Sequence, residues 1–344
     1  MNRRSSMPTR KSVKRPNIVV MGGGTGSHNV LSGLRRVDCD ITAIVAMTDS
    51  GGSSGRLRDE FGQLPPGDVR QCLVALAPDD RSGLLIRNLF NYRFDKGSGL
   101  NGHSFGNLFL TALTELTGSA EAAIAEAARL LNVRGTVLPV TLTKSTLCAH
   151  LMDGSVIKGE AQIDRRREKL EVPIDYVYLE PKALVHPPAA DAILKADVIV
   201  IGPGDLYTSI IPNLLVQGIP EALKTSSAIK IYVCNLMTKR GETPSFKASN
   251  FLHELLNYLE AGTTIDYLVL NSAPVPERLL QRYAREGAHP VEVDVEACRS
   301  LGAKAVTAPL LSAATYLRHD PALTASLVLR IASGAEAGRR ARRR

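Results

Sequence analysis

Five short stretches of this 344-residue chain carry residue types suited to holding a phosphate, and most of them follow an apolar run. The first is Gly22-Gly23-Gly24-Thr25-Gly26, directly after the run Ile18 to Met21. Glycines let backbone amides approach a phosphate closely, and a helix starting there adds its positive N-terminus. The spacing is not G-x-G-x-x-G, because Ser27 stands where the third glycine belongs. Nor is it a P-loop, because no Gly-Lys-Ser/Thr follows. The second stretch, TDSGGSSGRLR (48–58), ends the run Ile41 to Met47. Asp49 falls about where a nucleotide-binding sheet places an acid near a ribose, and an acid there equally suits Mg²⁺. Gly51, Gly52, Ser53, Ser54 and Gly55 supply amides and hydroxyls. Arg56 and Arg58 supply forked donors matched to phosphate.

The third stretch, NGHSFGN (101–107), offers His103 as an acid or base and Asn107 as an amide donor at a helix start. In GPGDLYTSIIPN (202–213), Gly202 and Gly204 open a turn, and Asp205, Tyr207, Thr208 and Ser209 place polar groups before an apolar helix. The fifth, NLMTKRGET (235–243), brings Asn235 and Thr238. The plain alternatives are a solvated loop for the second stretch and a structural histidine for the third. Convergence of four strand-end loops favours a site.

Such convergence needs a scaffold that delivers every loop to one edge. Apolar strands alternate here with helix-like stretches, which predicts an α/β fold: a doubly wound, mostly parallel Rossmann-like sheet with a small antiparallel β insertion. Ligands of such sheets bind at the carboxyl ends of the strands. The reading divides the chain into a disordered basic tail (1–16), the first half of a nucleotide-binding domain (17–133), a β-rich insertion (134–182), the second half (183–332) and a disordered Arg-rich tail (333–344). Asp153-Gly154 marks a hairpin inside the insertion. Asp68 is placed to N-cap a helix. RRREK (165–169) reads as an exposed turn, VEVD (291–294) as a late strand, and the last helix ends near Ala332. Lys144 and His150 read as surface residues.

Charge and cysteine content narrow the function classes. The formal net charge of +8 comes from the ends: residues 1–16 hold six Lys/Arg and no acid, and 335–344 hold five Arg and one Glu. The body between them carries 31 basic and 33 acidic residues. No specific nucleic-acid function is expected of it. The five cysteines are widely spaced without a C-x-x-C, so buried thiols are expected. No apolar run reaches the roughly 18 residues of a membrane span, and the N-terminus lacks a signal-peptide core, so the expected location is cytoplasmic. An NAD-dependent oxidoreductase would need the fingerprint that the first loop lacks.

The order and wording of these stretches resemble a known family. GGGTG (22–26), DSGGSSGRLRDEFG (49–62), LPPGDVRQCLVAL (64–76), GHSFGNLFL (102–110), LNVRGTVLPV (131–140), GPGDLYTSIIPNLLV (202–216) and VCNLMTKRGET (233–243) are similar to the YvcK-like gluconeogenesis factors. Those are related to the CofD transferases of deazaflavin coenzyme synthesis. The resemblance covers residues 16–330. It implies a UDP-sugar ligand, UDP-N-acetylglucosamine in particular, and a regulatory role joining carbon metabolism to cell-wall synthesis and cell shape. A protein partner in cell-wall synthesis follows from it, and self-association stays open. The glycine loops would cradle the diphosphate, Arg56 and Arg58 would neutralise it, and Asn235 and Thr238 would read base or sugar. Arg318, in the similar RHDP stretch (318–321), would touch the nucleotide-sugar. The alternative implied by CofD is Mg²⁺-dependent phospholactyl transfer from a guanosine diphosphate-linked donor, with Asp49 as metal ligand or acceptor-orienting group. Two departures from the family pattern stand out: Ser50 replaces an acid, and Asp205 replaces a serine.

Overall fold

The computed structural model describes residues 15–166, 170–313 and 316–342. Most of the basic N-terminal tail, and part of the charged turn 165–169, lie outside them. In chain order the strands are β1 (Asn17–Gly22), β2 (Asp40–Val45), β3 (Thr136–Pro139), β4 (Thr146–Leu151), β5 (Val156–Lys158), β6 (Ile174–Glu180), β7 (Val198–Ile201), β8 (Ile229–Val233), β9 (Tyr267–Asn271), β10 (Lys304–Ala308), β11 (Leu311–Ala313) and β12 (Leu317–His319).

Seven of these build one parallel sheet, ordered β3-β2-β1-β7-β8-β9-β10. The chain winds outward from β1 to β3, then returns to β7 and winds outward the other way. The direction reverses between β1 and β7, and that seam is where doubly wound sheets bind ligands. The central strands are apolar because helices cover both faces. All four residues of β7 and all five of β8 are buried. Burial of the Ile, Val and Leu side chains here is the main source of stability.

The β insertion is smaller than the sequence suggests. Its antiparallel sheet is β5-β4-β6, with the Asp153-Gly154 turn joining β4 to β5 and Gly154 at φ 81°. Thr136–Pro139 pairs in parallel with Thr42–Val45 and completes the main sheet instead. Short apolar strands of the two sheets have the same composition, so only pairing separates them. VEVD (291–294) makes one isolated bridge, Glu292 to Lys247, rather than a strand, and Asp294 accepts hydrogen bonds from the backbone and hydroxyl of Ser249. The last helix runs Pro321–Arg342 instead of ending at Ala332, as its alanines and arginines favour. All five cysteines are free and buried. No helix among the described residues is long and apolar enough to cross a membrane.

Candidate functional site

A cleft of about 670 Å³ opens over the carboxyl ends of β1, β2, β7 and β8. Its floor is backbone. The loop after β1 enters the helix Gly24–Leu34, and the loop after β7 crosses it at contact distance. A Cβ on Gly26 would stand 1.8 Å from the Pro203 carbonyl oxygen, and one on Gly24 2.7 Å from Asp68 Oδ1. Only glycine fits either position. The two loops thereby bring the helix N-terminus with Thr25 and Gly26 beside Gly204, Thr208 and Ser209. The chain after Gly204 forms a π-helical turn, Leu206–Ile210, a form frequent at functional sites. Tyr207 in that turn is buried and does not line the cleft.

One end of the cleft is acidic, with Asp49, Asp68, Glu160 and Asp164 in its wall. Asp68 does not N-cap its helix. Pro66 holds that position, and the Asp68 carboxylate accepts from the backbone of Gly24. Burial, then the neighbouring Asp49 charge, push Asp68 up to about 7. Burial, Asp49 and Asp164 push Glu160 up to about 8. Glu160 comes from the insertion, in the short helix Glu160–Asp164. Ser50 fastens that helix: its hydroxyl accepts from Ala161 N at 2.9 Å, and its own N–H faces Glu160 Oε2 at 3.4 Å. Carboxylates that repel one another in this way fit a hard divalent cation, which takes oxygen ligands and would remove the repulsion. Asp49, Asp68 and Glu160 would face it, though their carboxylates are not drawn to ligand spacing as those of Asp164, Asp205 and Glu242 are.

Beside them, Lys239 is ringed by Asp164, Asp205 (2.6 Å) and Glu242 (2.8 Å). The Thr208 hydroxyl also donates to Glu242. The Asp205 charge therefore meets an ammonium rather than an incoming phosphate. Three carboxylate oxygens here lie within 4.8 Å of one another, close enough for a metal, yet Lys239 already supplies the positive charge. The same carboxylates hold the Lys239 pKa far above its ordinary value against the effect of burial.

The other end is mixed. Leu236, Met237, Tyr283 and Leu317 line it with Asn235, Arg240, Glu286, Arg318 and His319. Thr238 is tied into the fold: its backbone N–H donates to the His289 carbonyl at 2.7 Å, and its hydroxyl accepts from His289 N at 2.9 Å. Arg318 is exposed at the rim.

Comparison with known proteins fixes the kinship. The family model of the 2-phospho-L-lactate transferase CofD matches residues 18–311. The gluconeogenesis factor of Halalkalibacterium halodurans is 43% identical over 92% of this chain and 97% of its own length. That of Bacillus subtilis is 40% identical over 92% of this chain and 98% of its own. The chain belongs to the gluconeogenesis-factor family. A crystal structure of a UPF0052 family member from Bacillus halodurans has the same fold, with a TM-score of 0.87 at 42% identity over 92% of this chain and 100% of that one.

In this family member the sequence-derived site residues fall into two groups. Gly24, Thr25, Gly26, Asp49, Gly204, Thr208, Ser209, Asn235, Thr238 and Arg318 line the cleft. Gly22, Gly23 and Gly202 lie beneath it at the strand ends. The remainder of the second stretch and the third stretch form a support. Gly52 already begins a helix, Gly52–Phe61, with Gly51 as its N-cap. Gly55 is packed so tightly that a Cβ would stand 2.1 Å from the Ser50 carbonyl oxygen. Ser53 meets His103 at 3.1 Å. Asn107 accepts from Arg70 at 2.9 Å and donates to Ser54 at 3.2 Å. Arg56 donates to the Asn101 carbonyl, and Arg58 pairs with Asp59. Glu160, Lys239 and His319 were not foreseen as site residues. The Gly67-Asp68 pair after two prolines was the one local signal for a further acid.

Proposed function

We propose that this protein binds a nucleoside diphosphate sugar, first of all UDP-N-acetylglucosamine, and acts as a regulatory protein linking carbon metabolism to cell-wall synthesis. The observation that carries the reading is the division of the cleft at the switch point. Backbone at Thr25, Gly26 and Gly204 forms an anion seat, Gly24 N–H being taken by Asp68, with Leu236, Met237 and Leu317 on one side and carboxylates on the other. The diphosphate takes the seat, where helix amides are available. The nucleoside lies along Leu236, Met237 and Leu317, and Arg318 closes over it. The sugar turns its hydroxyls toward the acid end, where Asp49 would hold a divalent cation that would supply positive charge to the diphosphate. The regulatory half of the reading rests on the family kinship.

Thermal unfolding with UDP-N-acetylglucosamine, UDP-glucose, GTP and NAD, with and without Mg²⁺, tests it. A ligand that binds only the folded state adds about 2.7 kcal/mol at a hundredfold excess over Kd. The UDP-sugars are expected to raise Tm, and Arg318→Ala to reduce the rise. A rise with NAD alone would refute the reading.

A second reading, a CofD-like transferase, draws on the acid end. Asp68 near neutrality is suited to take a proton from an acceptor hydroxyl, while Asp49 holds Mg²⁺. The phospholactyl group would pass to that hydroxyl oxygen, and GMP would leave. A Mg²⁺-dependent rise with GTP, and release of GMP that Asp49→Asn abolishes, would favour it over the regulator.

A further inference from the structure

We propose that the outer face of the helix Arg81–Asn91 is a two-fold interface on which a second copy of this chain docks, the two helices lying antiparallel. The inference is independent of the nucleotide reading above.

The inner face of this helix is settled by the fold. Gly83 and Phe90 are buried, the Phe90 ring lies 5.1 Å from that of Phe109, and Arg87 pairs with Asp79 at 2.9 Å. The opposite face of such a helix is normally polar. Here Leu84, Leu85, Leu89 and Tyr92 stand on it, 55, 69, 43 and 50% exposed. Leu85, Leu89 and Tyr92 follow one another at i, i+4 and i+7 and so share one stripe. The four side chains present roughly 400 Å² of mainly apolar surface, a size that on a soluble protein is often functional.

The charges at the two ends of the helix say what fits this face. Asp80 stands at the N-terminal end and spends its Oδ1 on the N–H of Gly83, at 2.7 Å. Arg93 stands just past the C-terminal end and donates to the Gly102 carbonyl at 2.5 Å. Neither contact neutralises the charge. A two-fold axis between positions 86 and 87 sets Leu84 against Leu89 of the second copy. The same register sets Arg81 over Tyr92, a cation–π contact, and Asp80 against Arg93. Each pair occurs twice, as a self-complementary interface requires. Antiparallel helix dipoles add to the attraction. An anionic membrane surface would select a face that is basic throughout, and Asp80 and Asp95 interrupt this one. Two copies of the four side chains cover about 800 Å², two-thirds of the roughly 1,200 Å² at which stable interfaces begin. Arg81, Asn88 and Arg93 widen the contact toward that figure.

Sedimentation velocity of the full chain over a concentration series tests this. The wild type is expected to pass from monomer to dimer. Leu85→Glu should raise the dimer dissociation constant at least about a hundredfold, because each dimer loses the leucine twice. Its Tm should stay near that of the wild type, since the side chain is mostly exposed. A second measurement reads the register and does not depend on that variant. The five native cysteines are buried, so an added surface thiol is the reactive one. In oxidised glutathione, a mixture of Leu84→Cys and Leu89→Cys chains should form a mixed disulfide-linked dimer faster than either chain links to itself. A chain that stays monomeric at every concentration overturns the proposal. So does a dimer that Leu85→Glu leaves intact, because the contact then lies elsewhere. Equal cross-linking in the mixture and in the single chains overturns the antiparallel register. Binding of a monomer to vesicles of anionic lipid, lost in Leu85→Glu, would give the face to a membrane and overturn the proposal likewise.

Discussion

Lys239 Nζ lies 2.6 Å from Asp205 Oδ2, across two loops that leave neighbouring strands of the sheet. The same ammonium holds Asp164 from the insertion and Glu242 from its own loop. The three acids are unequal. The Glu242 side chain is 1% exposed and that of Asp205 is 42%. Removing Lys239 leaves buried negative charge unanswered, which typically costs about 3–5 kcal/mol. Lys239→Met should therefore lower the urea midpoint strongly. Asp205→Ser, losing a half-exposed partner, should change stability by about 1 kcal/mol or less. Equal losses in the two variants would refute this ranking.

Two glycines of the first helix separate site from scaffold. A Cβ on Gly26 would stand 1.8 Å from the Pro203 carbonyl oxygen, and one on Gly33 1.9 Å from that of Pro321. Backbone cannot yield as the tip of a side chain can. Gly33→Ala should push the final helix away and cost about 1–3 kcal/mol. Ligand affinity in the fraction that stays folded should be near wild type. Gly26→Ala should cost similar stability and also abolish nucleotide binding, because it parts the β1 and β7 loops that form the anion seat. Titration of both variants below their midpoints distinguishes them, and binding by Gly26→Ala would show that the seat lies elsewhere.

The sheet was legible because buried parallel strands are written as apolar runs, and Ile18 to Met21 and Val198 to Ile201 stand out at once. The cleft floor was legible because close backbone approach demands glycine, which is visible at Gly24 and Gly26. The acid end was not. Glu160 stands 110 residues along the chain from Ser50, and only packing of the insertion brings them together. Gly51 to Gly55 read as a phosphate loop because glycine and serine have weak helix propensity, yet tertiary contacts start a helix there. His319 lies in the RHDP stretch, yet only Arg318 was read from it as a ligand contact, since burial of the histidine against the cleft is a property of the fold.

The support beneath the site makes its own prediction. Arg70 is buried and donates to Asn107 Oδ1 at 2.9 Å and Asn91 Oδ1 at 2.5 Å. Asn107 passes the link to Ser54. Asn107→Leu strands the guanidinium donor and the serine hydroxyl together, and each unmet buried group costs about 1–3 kcal/mol. Stability should fall by about that amount or more, with ligand affinity altered less than fivefold, since neither residue lines the cleft. A large loss of affinity with intact stability would instead place Asn107 in the binding site.

The acid end should also make stability depend on pH with a recognisable sign. Asp68 and Glu160 bind protons more tightly in the folded chain than in the unfolded one, at about 7 and about 8. Between their unfolded values near 4 and those folded values, the native state holds more protons. Stability from this source is complete below about pH 4 and falls as pH rises through 7 to 8. Histidines with lowered pKa, such as His28 and His319, act in the opposite sense at the acid side, so the comparison must be by difference. Tm measured from pH 5 to 9 in chelator should fall more steeply for wild type than for the Asp68→Asn, Glu160→Gln double variant. Mg²⁺ should flatten the wild-type curve, because a cation stabilises the ionised carboxylates, and should do little for the variant. Parallel curves in chelator would mean that the two acids share no buried repulsion. A Mg²⁺ response retained by the variant would move the cation site away from them.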